Sequence, residues 1–319
     1  MLEVVMSSFD SYILGKAYER YEKLGDKLAQ IASSIDWEKF RPIVASLFNN
    51  RTKMGGRPNI DEKVMLKLLV LQQMYGLSDP ELERLVVDRI SFQRFLGFPE
   101  VVPDYSTVWL FRERLIQSGK WEELWRELQG QLDRKGLKVR KGVIQDATLI
   151  AADPGHAPAD KPRGDEALTR RSRDGTWVKK GNRSYFGYKL HVKTDVDYSL
   201  IREVETTTAS THDSQVDLSE AREVVYRDRG YFGVMPRGFD ATMQRGVRGH
   251  PLGFVDRLRN RRISGKRAPV ERVFAVLKRG FGVGHVMVTT VARVGVRMVF
   301  AAFGYNLCQL VTLGRGVLA

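Results

Sequence analysis

The sequence predicts a mixed α+β chain in two parts. An all-helical N-terminal domain covers residues 1–133, and a mixed sheet flanked by helices covers 134–319. Three observations predict it. Apolar residues recur at helical spacing through the first part, short β-branched and aromatic runs begin near Lys135, and helix signals return only beyond residue 212. The chain also carries 52 Lys and Arg against 38 Asp and Glu, a net charge of +14. Self-repulsion of that size is relieved when a polyanion shares the surface. Nucleic acid is therefore the leading partner class, ahead of a merely basic, thermophile-like or ribosome-associated protein.

The helical part reads as follows. Residues 60–75 place Val64, Leu68, Leu71 and Tyr75 on one face, with Asn59-x-x-Glu62 as a capping box in front and Gly76 as the stop. Ser78-x-x-Glu81 caps a second helix carrying Leu82, Leu85 and Val86, and 90–98 supplies a short third. Residues 104–115 and 121–132 add two more. Helix, glycine turn, helix is compatible with a helix-turn-helix that contacts DNA, and equally with a dimerisation bundle.

Strand character begins at 140–151, where Val143 and Ile144 precede Asp146 and Leu149 and Ile150 follow it. Residues 152–183 are rich in Pro, Gly and charge without apolar period, and predict a flexible basic loop. In 184–194 strand alternation puts Tyr185, Gly187, Lys189 and His191 on one face and Phe186, Tyr188, Leu190 and Val192 on the other. A third strand at 200–207 makes a hairpin around the turn residues Asp195 and Asp197. Then come a helix at 212–225, a short strand at 224–228, and a helix at 269–279 opened by Pro269 and stopped by Gly280 and Gly282. This order, with its leading antiparallel meander, suits an RNase H-like sheet. It excludes a doubly wound dinucleotide fold, whose glycine fingerprint is also missing.

The single cysteine, Cys308, excludes an intramolecular disulfide and a Cys-rich zinc site, and suits a reducing cytosol. His156, His250 and His285 have no ligand spacing, so no zinc is expected. The N-terminus lacks a signal-peptide pattern. The apolar run 298–313, interrupted by Asn306 and Gln309, is short for a membrane span and reads as a buried helix.

Three carboxylates stand on separate elements: Asp146 in the first strand, Asp228 at a strand end, and Glu271 in the first turn of the Pro269 helix. Phosphodiester cleavage with two divalent ions needs such a set, because the ions must be bridged while they activate one oxygen and stabilise another. Arg267 precedes Glu271 by four residues and Lys278 follows by seven, two α-helical turns along the same face. Among competing groups, Asp153 reads as a turn residue, Asp213 as a helix cap and His191 as structural, although His191 could face the groove. From Arg227 to Gly280 there are 14 basic residues against 4 acidic ones. Arg229, Arg245, Arg248, Arg257, Arg259, Arg261, Arg262, Lys266 and Arg267 lead directly toward Glu271, which points to a phosphate-tracking surface. Trp177, among basic residues at 170–180, could stack a base.

From about Phe48 to Leu313 the chain resembles the insertion-sequence transposases of family five in the larger DDE group. GLSDPELERLVVDRISFQRFLGF with VPDYSTVWLFRERL resembles the family's helical domain, and VIQDATLIAADP its first-Asp block. TTTASTHDSQ with VVYRDRGYFG resembles the second-Asp block, and RNRRISGKRAPVERVFAVLKRGFG the Glu block. The intervals are 82 residues from Asp146 to Asp228 and 43 from Asp228 to Glu271. The resemblance implies that Asp146, Asp228 and Glu271 hold two Mg²⁺ ions, with Mn²⁺ able to substitute. It implies that Arg267 and Lys278 hold phosphate, while Ser264 replaces the tyrosine that the wider group often carries before that arginine. The implied activity is cleavage and strand transfer of DNA at terminal inverted repeats and target sites, by a homodimer on paired ends in a prokaryotic cytoplasm, with no membrane role. The alternatives are a non-catalytic DNA-binding descendant of a transposase and an RNase H-like nuclease that does not join strands.

Overall fold

The computed structural model describes residues 16, 18–48, 59–155 and 172–317. The middle of the predicted loop, with His156 and Arg170, and the N-terminal residues read for a signal peptide lie outside the described residues.

The N-terminal part is helical, as expected. Helix α1 (Lys27–Ser34) is capped by Asp26, and the one-turn α2 (Arg41–Ala45) follows a 3₁₀ turn closed by Trp37 and Phe40. Neither was legible in the sequence. Helix α3 (Glu62–Met74) is buried on nearly every side, because the bundle closes around it. Its cap is Asp61, whose carboxylate accepts from the amides of Lys63 and Val64, so the proposed Asn59 box is corrected. Ser78 caps α4 (Asp79–Asp88) as read. Helix α5 (Ile90–Leu96) ends at Gly97 in the left-handed region that glycine favours. Helices α6 (Tyr105–Ser118, capped by Asp104) and α7 (Trp121–Arg134) complete the set.

The sheet is seven-stranded and mixed. Strands β1 (Val143–Ala152), β3 (Arg183–Asp195) and β4 (Ile201–Thr208) form an antiparallel meander. Strands β5 (Val224–Arg227) and β6 (Phe239–Thr242) add on the far side of β1, both parallel to it. Two short strands fill the corners: β2 (Thr176–Lys180) pairs with the start of β3, and β7 (His285–Val286) with the end of β1. The fold class therefore stands, an RNase H-like mixed sheet after a helical region.

Two local expectations fail. Residues 176–180 of the predicted loop are a strand, drawn into order by the ladder to β3. The predicted helix at 212–225 is only a 3₁₀ turn, Asp213–Gln215, followed by extended chain. Gln145 explains why: its amide accepts from Leu218 and donates to the carbonyl of Val216, bonds that pull the segment straight along the sheet.

Helix α8 (Phe254–Ala275) starts fifteen residues earlier than the Pro269 helix predicted. Pro269 lies inside it, where it lacks a donor for the carbonyl of residue 265. That residue is Gly265, exposed and with open space where a Cβ would be, so water can satisfy its carbonyl and the ring meets no side chain. The helix passes into a π-helical turn, Val276–Gly280. Helix α9 (Val291–Val317) closes the fold. By length and composition Val291–Gly314 could cross a membrane, but 72% of its most apolar window is buried inside the protein, as expected for a core helix. It packs against α1, α3, α6 and α7 and also against β4, so one apolar core joins the helical region to the sheet.

Candidate active site

Register places Asp146. In the β1–β3 ladder Asp146 lies opposite Val192, so its side chain shares a face with Ile144, Ile150, Tyr188, Leu190 and Val192. Helix α8 covers that face: Arg267 donates to Asp146 Oδ2 at 2.6 Å, and Val270 and Val273 are buried beneath the helix. On the other side of β1, strand β5 pairs only at Val143 and Ile144, and β7 only at Ala151 and Ala152. Asp146 sits in the gap between them, where β5 has turned away.

The turn that opens the gap carries Asp228. Ile144 faces Tyr226 in the last pair of the ladder, and Asp228 follows two residues on, close enough for its charge to act on Asp146. Asp228 accepts from the amide of Gly230 at 2.8 Å, which caps the 3₁₀ turn Arg229–Tyr231. The two carboxylates feel each other. Burial pushes the Asp146 carboxyl above its ordinary pKa and the charge of Asp228 adds to that, whereas Arg267 and the amide of Ala147 oppose it.

Glu271 lies one helical turn beyond Arg267 and is exposed. Among the described residues no three acidic, histidine or cysteine side chains meet at metal-holding distance. Asp146 and Asp228 are brought together, and Glu271 is placed on the covering helix. The spacing argument for Lys278 is corrected. Residues 276–280 are π-helical, with Phe281 bonding back to Val276, so seven residues no longer make two turns of one face. Lys278 stands instead against Gly284, and burial and then Lys180 push its pKa down.

Arg245 and Arg248 are exposed beyond β6, Arg261, Arg262 and Lys266 are exposed on α8, and Arg229 is exposed beside Asp228. Arg259 instead donates to the carbonyl of Thr242, tying α8 to β6.

The other face of the sheet holds His191, as expected of a structural histidine. His191, opposite Ala147, is fully buried and points away from Asp146. Its Nε2 meets Thr207 at 2.9 Å, and burial depresses its pKa to about 4. Asp213 is no cap: His212 caps the turn, and Asp213 pairs with Lys189 at 2.8 Å. Asp153 and Asp195 do hold turns, through the amides of Gly155 and Tyr198.

Two residues around Asp228 escaped the sequence reading. Arg227 is 1% exposed; it donates to Thr242 Oγ1 at 2.8 Å and to the carbonyl of Val234, which ties the residue before Asp228 to β6 and to the chain beyond the turn. Tyr231 is fully buried, its ring centroid 5.4 Å from that guanidinium. Burial, then the charges of Asp146, Asp213 and Asp228, push its ionisation far up. The only available signal was the strand alternation that turns Arg227 inward.

Two known families match the chain. Residues 138–307, more than half of the chain, match the family described as "Transposase DDE domain". The chain is a DDE transposase. Residues 16–114 match a second family, "Transposase domain (DUF772)", so both parts of the transposase belong to transposase families. No solved structure matches it. Membership makes this transposase an enzyme of the polynucleotidyl transferase and endonuclease class, acting on DNA.

Proposed function

We propose that this transposase cleaves DNA at the ends of its own insertion sequence and joins the freed 3′ ends to target DNA, with Asp146, Asp228 and Glu271 holding divalent metal. The observation that carries the reading is the electrostatic coupling of Asp146 and Asp228 where β5 leaves β1, beside a helix that pairs Arg267 with Asp146 and carries Glu271 one turn on.

The donor set is all oxygen and fits a hard cation such as Mg²⁺ or Mn²⁺. The protein's own cation there is Arg267, which balances one of two crowded carboxylates. Asp146 and Asp228 would hold the metal, and Glu271 would complete the set from α8. When bound, two such ions supply charge stabilisation at the attacking and leaving oxygens of the phosphodiester. The residues do the rest. The wall of β1 and α8 fixes Asp146, the Arg227 anchors fix Asp228, and Arg267 can exchange Asp146 for a phosphate oxygen when DNA fills the groove.

The exposed Arg245, Arg248, Arg261, Arg262 and Lys266, with Arg229, would track the duplex backbone toward the cut, and Lys278 would hold it beyond. The helical region (1–133) would bind the inverted repeats or pair two protomers, and 134–319 would carry the chemistry. Pairing of two ends calls for a homodimer. The test is cutting of DNA taken from the flanks of the gene, with Mg²⁺ or Mn²⁺. Wild type should nick at one position, and Asp146→Asn, Asp228→Asn and Glu271→Gln should not. Equal cutting by all four proteins would remove the assignment, and tight binding without cutting by wild type would favour the DNA-binding alternative.

A further inference from the structure

The tip of the β2–β3 hairpin extends beyond the end of β1 and lies outside the site described above. The ladder fixes where. Ala151 of β1 faces Gly187 of β3, which faces Thr176 of β2, so Trp177, opposite Phe186, is level with Ala152. Residues 176–186 (TWVKKGNRSYF) contain Lys179, Lys180 and Arg183 and no acid, and all three cations are exposed.

Trp177 is 53% exposed, although a ladder tryptophan gains most by burial. One side of the indole leans on Phe186, with ring centroids 5.3 Å apart, and Phe186 packs against the main core. That core lies on the Asp146 face of the sheet, so the open side of Trp177 belongs to the same face as the catalytic groove. A fourth cation arrives there from the π-helical turn after α8: Lys278 stands against Gly284, whose carbonyl accepts from Ala151. Its pKa is depressed by burial and by Lys180, as expected of two cations drawn together.

A half-open indole backed by a core aromatic and ringed by lysines is a platform for a nucleobase whose phosphates are held alongside. An acidic peptide would satisfy the lysines but leave the indole uncovered. We propose that the hairpin tip and Lys278 bind an unpaired stretch of the DNA strand leaving the active site, with Trp177 stacking on a base and Lys179, Lys180 and Lys278 holding its phosphates. This rests on the DNA-cleaving reading above. Six residues of β1 separate Asp146 from the level of Trp177, about 20 Å at strand rise, or about six nucleotide steps at 3.4 Å from the scissile phosphate.

The test is fluorescence anisotropy of the full chain in EDTA, on two labelled probes from the gene flank: a blunt duplex, and the same duplex with a single-stranded thymidine overhang. Trp177→Ala should bind the overhang probe about tenfold more weakly and the blunt probe as wild type does, while Trp177→Phe retains most of the affinity. The pair Lys180→Gln and Lys278→Gln should lower the slope of log affinity against log salt on the overhang probe by about 1.4. Unchanged overhang binding by Trp177→Ala, with an unchanged melting temperature, would overturn the proposal and leave the DNA reading intact. Loss of equal size on both probes would overturn it too, as a structural effect of the substitution. Failure of wild type to bind either probe would overturn both.

Discussion

At the scale of residues, a few side chains are held by charge and burial rather than by local propensity. Asp146 is a half-buried carboxylate beside a second one, answered by one guanidinium. A divalent ion bound there stabilises the folded state by mass action, so Mg²⁺ should raise the Tm of wild type by a few degrees. It should leave the Tm of Asp146→Asn or Asp228→Asn unmoved, and a scanning calorimeter decides the point. His191 makes a separate, pH-dependent prediction. Its buried imidazole titrates at about 4, depressed from 6.5. Below pH 6.5 the unfolded chain therefore takes up a proton that the folded one refuses. Stability should fall as pH drops from 6.5 toward 4, by on the order of 3 kcal/mol in all. Urea titrations across that window should show a shallower fall for His191→Gln; an identical slope would mean that other groups carry the loss.

At the scale of elements, the position of the site depends on ladders that leave little room. Gly187, at φ +148, faces Ala151, and a Cβ there would come within 2.1 Å of the carbonyl oxygen of Ile150. Gly187→Ala should cost about 3 kcal/mol or more in urea unfolding. Gly181→Ala, also at positive φ but with open space around it, should cost only about 1 kcal/mol. The same elements explain what could be read in advance. β1, β3 and β4 were legible because alternation has period two and each has a clear buried face. Asp146, Asp228 and Glu271 were legible as acids on separate elements, in blocks that resemble a family. The long reach of α8 was not, because proline normally marks a helix start and the exposed Gly265 that tolerates it is a tertiary fact. Lys278 was misplaced because a π turn leaves no periodic trace. The helix expected at 212–225 failed because Gln145, about seventy residues away in sequence, claims its backbone groups.

At the scale of the whole molecule, α9 makes one body of the two parts. It carries Arg293 to Glu113 at 2.8 Å and Arg297 to Gln73 at 3.1 Å on the helical side. On the sheet side, buried Asn306 accepts from the amide of Ile201 and donates to its carbonyl, both at 2.8 Å. With one core shared, helical circular dichroism and tryptophan fluorescence should report a single unfolding transition. Asn306→Ala leaves the amide of Ile201 without this acceptor and its carbonyl to Gln129 alone, and should lower that transition by about 2 kcal/mol without splitting it. Two resolved transitions in wild type would mean that the helical region and the sheet fold independently.

The most direct test of the proposed chemistry is joining. A pre-cut DNA end from the gene flank, carrying a free 3′-OH, is incubated with supercoiled plasmid, Mg²⁺ and either wild type or Asp146→Asn. Joined circles with wild type, falling by on the order of a thousandfold with the variant, are expected if Asp146 holds the metal. Equal joining by both proteins would contradict the assignment of Asp146. Nicked plasmid without joined ends would make the chain a nuclease.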